Sequence, residues 1–310
     1  MGSYSGTKMK ASIDIGSNTV LLLVGEVHDG KVTVIDERQE APRLGQGVDA
    51  EKNLTQQVMQ RVIDVVNEFK MIIEHDYPDV DEVIVMATSA VRDANNRLDF
   101  VREVKKATGY SVQILSGKQE ARLTYLGAKS VLQETNHPSA VIDIGGGSTE
   151  VAYGNAKNLI DWFSFNIGSV RFTERYLKSD PPTEKEIENC RTAITDALKK
   201  HPFEWNAPVD LIGVAGTVTS LAAIQNNIKT YQPEKLNGQK LSFNDLTGWI
   251  SSFSEFTKTR LLNRYPNILE GRAGIFVAGL LILEEFMKAY DVNEVTTSTG
   301  GIRHGALIIN

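Results

Sequence analysis

Two stretches of the chain end an apolar run with an acid and follow it at once with small, hydrogen-bonding residues: IDIGSNTVLLLV (13–24) and IDIGGGSTEVAY (142–153). In the second, Gly145, Gly146 and Gly147 let backbone N–H groups approach an anion with no Cβ in the way, and Ser148 and Thr149 add hydroxyl donors. In the first, Ser17, Asn18 and Thr19 supply the side-chain donors. A single Asp-Ile-Gly turn is an ordinary hairpin connection. Two at matching places point to a pair of phosphate-binding loops that grip one ligand from both sides. Asp14, Asp143 and Glu150 flank these loops as hard oxygen donors.

The elements that must position the loops repeat in the same order. After each loop an apolar strand runs into a turn (GEVHDG, 25–30; GNAK, 154–157) and a further strand, KVTVIDER (31–38) or NLIDWFSFNIG (158–168). Helices and strands then alternate. The first half continues as a helix over 54–73, a strand over 82–89, a helix over 96–109 ending at a glycine stop, and a strand over 111–115. In the second half a helix is expected over 183–200 and a strand over 210–216. A loop-rich region, a long helix over 271–290 and a strand over 294–299 follow. This predicts an α/β protein of two duplicated domains, each a mixed sheet flanked by helices, with a cleft between them. Residues 1–9 read as a leader ahead of a native start near Met9. The N-terminal domain is expected over 10–125 and the C-terminal domain over 126–310, the boundary lying in the helix after Ser116.

Composition narrows the field. The chain has 310 residues, is 41% hydrophobic and 23% charged, and carries a net charge of −6, which argues against a nucleic-acid binder working through a broad basic field. With Cys190 as its one cysteine, no internal disulfide can form, and a cytoplasmic setting is expected. The longest apolar run, AGIFVAGLLIL (273–283), is too short to span a bilayer, so no membrane association is expected; it serves the core or a homodimer. No G-x-x-x-x-G-K-[ST] occurs, and the five histidines lack metal-ligand spacing.

The two loops, taken with ATSAVRDANN (87–96), LSGKQEARLTY (115–125), GSVRFTERY (168–176), GVAGTVTSLAAI (213–224) and STGGIRHGAL (298–307), resemble the exopolyphosphatase and guanosine pentaphosphate phosphohydrolase family. That family is a branch of the sugar kinase and actin superfamily, and the likeness runs over nearly the whole chain from Lys10. Two positions depart from its pattern: Gly274 stands where an acid is usual, and His304 where Glu is common. The resemblance implies actin-like, ribonuclease H-like domains and a phosphate chain bound in the cleft with Mg²⁺ or Mn²⁺. It makes Asp143 and Glu150 the metal ligands. Asp14 is either a third acid near the metal or a loop-stabilising aspartate. Glu120 matches the family's catalytic base. Taken alone, a glutamate in the first turn after a Ser116 cap is a helix-dipole partner. Arg92, just past the strand 82–89, suits a terminal phosphate. Arg171 and Arg303 are phosphate or structural residues, and AGTVTS (215–220) resembles the superfamily's nucleotide loop.

The implied activity is metal-dependent release of terminal orthophosphate from polyphosphate or from guanosine pentaphosphate. An ATP-dependent kinase of the same superfamily and a non-catalytic alarmone sensor are the alternatives. No long basic run is present to hold many phosphates, which predicts a preference for short chains.

Overall fold

The computed structural model describes residues 8–309 apart from 29, 134, 136, 157, 206 and 207. Residues 1–7 of the expected leader lie outside the described residues, while Lys8 and Met9 already pair with Val27 and Glu26.

In the first half, β1 (Lys8–Ile15), β2 (Val20–His28) and β3 (Lys31–Glu40) form an antiparallel meander, and β4 (Val80–Ala87) and β5 (Val112–Ile114) add in parallel on the other side of β1. The strand order is β3-β2-β1-β4-β5. Helices α1 (Val48–Glu51), α2 (Gln56–Asp76), α3 (Ser89–Asp93), α4 (Arg97–Thr108) and α5 (Gly117–Ser130) complete this half. The α2 helix buries Val58, Val62, Val66, Phe69 and Ile73, a stripe at helical spacing, in the first core.

In the second half, β6 (Ser139–Ile144), β7 (Thr149–Asn155) and β8 (Asn158–Phe165) repeat the meander, and α6 (Ser169–Tyr176), α7 (Glu184–Leu198), β9 (Asp210–Val214) and α8 (Ala215–Gln225) follow. Then come α9 (Pro233–Leu236), β10 (Lys240–Ser242), α10 (Phe243–Ser254), α11 (Lys258–Arg264), α12 (Pro266–Leu269), α13 (Phe276–Ala289), β11 (Glu294–Thr297) and α14 (Ile302–Ile309). The second sheet runs β10-β11-β9-β6-β7-β8, so β8-β7-β6-β9-β11 repeats the order of the first sheet and β10 is an added edge. The duplicated architecture of two mixed sheets flanked by helices expected from the repeat is the one observed.

Four local expectations are corrected. The strand expected over 210–216 stops at Val214, because Ala215, at φ 63°, opens α8. The strand expected over 82–89 stops at Ala87, because Ser89 opens α3. The helix expected from 271 starts at Phe276. Gly271, at φ 71°, takes a left-handed turn that residues 272–275 continue. The region read as loop-rich contains α9 to α12 and β10. The α13 helix is buried from Phe276 to Met287, which leaves no apolar face for a second copy.

Two helices tie the halves together. Ala121, Tyr125 and Ala128 of α5 pack on Val141, Ala152 and Ile212 of the second sheet. Ile302, Ala306 and Leu307 of α14 pack on Leu23, Ile84 and Met86 of the first. Each helix thus lies on the sheet of the other half. They cross at backbone distance: a Cβ on Gly127 would lie 1.9 Å from the Gly301 carbonyl oxygen, and one on Gly305 would lie 2.0 Å from that of Leu123. Among the described residues no helix is long and apolar enough to cross a membrane.

Candidate functional site

The two loops are the same turn. Gly16 N–H donates to the Thr19 carbonyl at 2.9 Å, and Gly145 N–H to the Ser148 carbonyl at 3.0 Å. In each, the following segment takes up the loop carbonyls. Gly45 and Arg43 N–H donate to Ser17 and Asn18 at 2.6 and 3.1 Å; Ser169, Val170 and Arg171 N–H donate to Gly145 and Gly146 at 2.9, 2.9 and 3.0 Å. With the carbonyls pinned away, the N–H groups of Ser17, Asn18, Gly146 and Gly147 bond no acceptor among the described residues. A row of free N–H groups around a turn is an anion cradle.

The loops meet face to face. A Cβ on Gly146 would lie 2.8 Å from Ser17 Cβ, and one on Gly147 would lie 2.8 Å from Ser89 Oγ. Ser17 Oγ and Ser89 Oγ are 3.0 Å apart. The triple glycine therefore serves close approach of the two halves as well as access for an anion.

Register puts the acids together. Asp143 on β6 pairs directly with Glu150 on β7, so both side chains leave the same face of the hairpin. Glu150 is held by Ser164 Oγ at 2.6 Å, the residue opposite it on β8. Asp143 accepts from Thr124 Oγ1 at 3.3 Å. Glu120 stands one turn before Thr124 on α5, whose N-terminus is closed by a reciprocal cap between Ser116 and Gln119. Arg92 Nη1 donates to Glu120 Oε2 at 2.6 Å and to the Leu115 carbonyl at 3.1 Å, and its Nη2 lies 3.9 Å from Glu150 Oε1. Asp14, at the matching place on β1, has a buried Oδ1 with no partner.

Burial raises the proton affinity of all four carboxyls, and the charge of Glu150 adds to it at Asp14, Glu120 and Asp143. Burial pushes Asp143 up to about 7, with repulsion from Glu150 and Asp14 added. Burial pushes Asp14 up to about 6; Arg303 opposes this and Glu150 adds to it. Glu120 lies well above the ordinary glutamate value through burial and the charge of Glu150, against the pull of Arg92. Glu150 is raised by burial and held back by the Ser164 hydroxyl and Arg92.

The residues picked out from the sequence divide into two sets. Ser17, Asn18, Thr19, Gly145, Gly146, Ser148 and Glu120 line a cleft of about 310 Å³ between the halves, and Arg92, Asp143 and Glu150 bond or pair around Glu120. Gly147 and Thr149 do not line it: Thr149 is buried, and its hydroxyl donates to the Ile167 carbonyl at 2.8 Å, which corrects its expected phosphate contact. Arg171 is a brace: its Nε donates to the Gly147 carbonyl and its Nη2 to Asp93, each at 2.6 Å. Arg303 bonds the Leu22 carbonyl at 2.8 Å and Glu37 at 3.0 Å. His304 is buried, and burial pushes its imidazole down to about 3.

The structure adds residues that sequence reasoning missed. Thr124 and Ser164 orient the acids; a helix turn of four and a cross-strand position were the available signals. Arg272 enters the cleft lying flat on Gly216, where a Cβ would be 1.2 Å from its Nη1, and it bonds Gln39 Oε1 at 3.1 Å. An arginine between two glycines, GRAG (271–274), was the signal, hidden by assigning those residues to a helix.

A two-half α/β enzyme that cradles phosphate over a pair of buried acids is the class these features define. The chain belongs to the Ppx/GppA phosphatase family, which it matches over residues 23–309, and it is thereby a phosphoanhydride hydrolase. It is 28% identical to exopolyphosphatase 2 of Mycobacterium tuberculosis, over 95% of this chain and 96% of that protein. It is 27% identical to the bifunctional 3-dehydroquinate synthase/phosphatase of Fusobacterium nucleatum, covering 98% of this chain and 47% of that protein. Among solved structures, the Aquifex aeolicus Ppx/GppA family member matches with 32% identity, 97% coverage of both chains and a TM-score of 0.81. An exopolyphosphatase from Cytophaga hutchinsonii matches with 28% identity, 97% and 96% coverage and a TM-score of 0.87.

Proposed function

We propose that the protein removes terminal orthophosphate from short inorganic polyphosphate or from guanosine pentaphosphate in the cytoplasm, with Mg²⁺ (or Mn²⁺) as cofactor. The observation that carries this reading is the pairing of two anion cradles with four carboxyls, Asp14, Glu120, Asp143 and Glu150, whose proton affinity burial raises. The cradles take phosphate oxygens on the unpaired N–H groups of Ser17, Asn18, Gly146 and Gly147, helped by Thr19 and Ser148. Glu120, its proton affinity raised, accepts the proton of the attacking water. Arg92 leaves Glu120 for the terminal phosphate, which frees the base as substrate arrives.

A divalent cation suits the donor set. Asp143 and Glu150 would hold it, with Asp14 Oδ1, buried and unpartnered, as a weaker third donor. Among the described residues no group of three is arranged as a ready cation cage, which fits an ion that keeps water and takes substrate oxygens. When bound, it neutralises charge on the phosphates.

The guanosine arm has its own support: the cleft is also lined by Tyr231, Leu236, Ile268 and Phe276, a surface on which a base can rest. Phosphate release is measured with polyphosphate, guanosine pentaphosphate and ATP, with Mg²⁺ and with EDTA. Release from either of the first two that EDTA abolishes supports the reading. Phosphate transfer from ATP to a sugar acceptor without hydrolysis would replace it with a kinase. Tight guanosine pentaphosphate binding with no turnover would replace it with a sensor.

A further inference from the structure

Behind the first loop, on the other side of Asn18, lies a second cavity of about 490 Å³. Arg43, Lys178, Lys258 and Arg272 reach it from four separate segments, and none of the four forms an ion pair with a carboxylate among the described residues. Two acids share the lining, and each is already engaged: Glu174 accepts from Gly47 N–H at 3.1 Å, and Asp180 from Lys258 N–H at 2.8 Å. A chain of net charge −6 thus folds a local surplus of positive charge into one concave place. No run in the sequence shows it, because the cations lie at positions 43, 178, 258 and 272.

The two cavities share three residues: Asn18, Arg272 and Ile275 line both. At the common edge Asn18 Nδ2 donates to the Gly271 carbonyl over 3.3 Å, a long bond that a phosphate oxygen can replace. Arg272, held by the neutral Gln39, presents a fork of donors at the passage.

We propose that this cavity is a second anion subsite, which holds the following phosphates of a polyphosphate chain whose end lies between the two loops. It rests on the phosphohydrolase reading above and deepens it. Affinity then rises with chain length until the chain reaches Arg43, Lys178 and Lys258, and levels off beyond them. Chains just long enough to reach them therefore bind as well as long ones, which gives the use of short chains a physical origin. Guanosine pentaphosphate, with its phosphates split between two positions, gains little from the second cavity.

The test compares the native protein with K178Q/K258Q, both exposed side chains whose loss leaves the core intact. KM and kcat are measured with tripolyphosphate and with a long polyphosphate. In the native protein KM for the long chain should lie well below that for tripolyphosphate. In the variant it should rise about tenfold with kcat on that substrate within twofold, so that the ratio of the two KM values collapses. An unchanged ratio overturns the subsite. If neither substrate is hydrolysed, the phosphohydrolase reading fails separately, and labelled long polyphosphate is titrated into both proteins. A tenfold weaker affinity in the variant keeps the subsite, and equal affinity removes it. Single-stranded DNA bound as tightly as polyphosphate through the same lysines overturns it too, marking a general polyanion surface.

Discussion

In the first half the residue opposite Asp14 is Leu21; in the second the residue opposite Asp143 is Glu150. The two hairpins otherwise share a turn bond, the pinning of loop carbonyls by the segment that follows, and N–H groups that bond no acceptor among the described residues. The surroundings differ in one further way. Asp14 feels the positive charge of Arg303, whereas Asp143 has a hydroxyl, Thr124, and a second acid. Duplication thus supplied two turns of one kind, and one cross-strand position gave one of them an acid pair. Under the proposed function the first loop binds, and the second binds and carries the chemistry.

The largest effect should come from the base, which neither hairpin supplies. Glu120→Gln keeps the Arg92 contact but cannot accept a proton, and kcat should fall by roughly 10²–10⁴-fold with KM little changed. Native-like turnover would remove Glu120 from the role and leave the two hairpins to account for catalysis. The next effect tests the asymmetry itself. Glu150→Leu makes the second hairpin resemble the first and should lower kcat/KM by about 10²-fold, with a weaker response to added Mg²⁺. Asp14→Asn should cost at most about tenfold. If the two variants lose activity equally, the hairpins are chemical equals and the distinction between them falls.

Gly146→Ser gives the second loop the residue that Ser17 contributes to the first. Its Cβ would sit 2.8 Å from Ser17 Cβ, so the halves must part slightly. Phosphate affinity should fall about tenfold, a modest loss because the cradle N–H groups stay in place. Unchanged affinity, measured by isothermal titration with tripolyphosphate, would show that the loops need no close approach.

Much of this was legible in the sequence because it is local. The repeat of Asp-Ile-Gly, the alternation of β3 and the Ser116 cap are short-range patterns, and they predicted the duplicated three-strand openings and the start of α5. What escaped is what folding brings together from afar. Arg272 meets Gly216 and Gln39, both far back along the chain, Gln39 by 233 positions. The α14 helix returns to the first sheet, and Ser164 reaches Glu150 only through the β7–β8 register. Short helices such as α9, α11 and α12 carry too few turns to show an apolar period, so their segment read as loop.

The smallest expected effect lies in stability, and it separates the two hairpins by their electrostatics. Asp143 is raised to about 7 and Asp14 to about 6, both from 3.8, so the folded protein holds protons that the unfolded chain releases. The stability these groups allow is full below pH about 4 and is lost as pH rises through about 6 to 7. Metal-free protein should therefore melt at a higher temperature at pH 5.5 than at pH 8. Mg²⁺ should raise the melting temperature mainly at pH 8, where ionised carboxyls are available to it. At pH 8 without metal, Asn at position 143 should raise the melting temperature by about 2–4 °C. Asn at position 14, where Arg303 already relieves part of the charge, should raise it by less. Melting curves for the three proteins at both pH values decide the matter: a larger gain at position 14, or a native protein more stable at pH 8 than at pH 5.5 without metal, would show that Arg303 does not set the two acids apart.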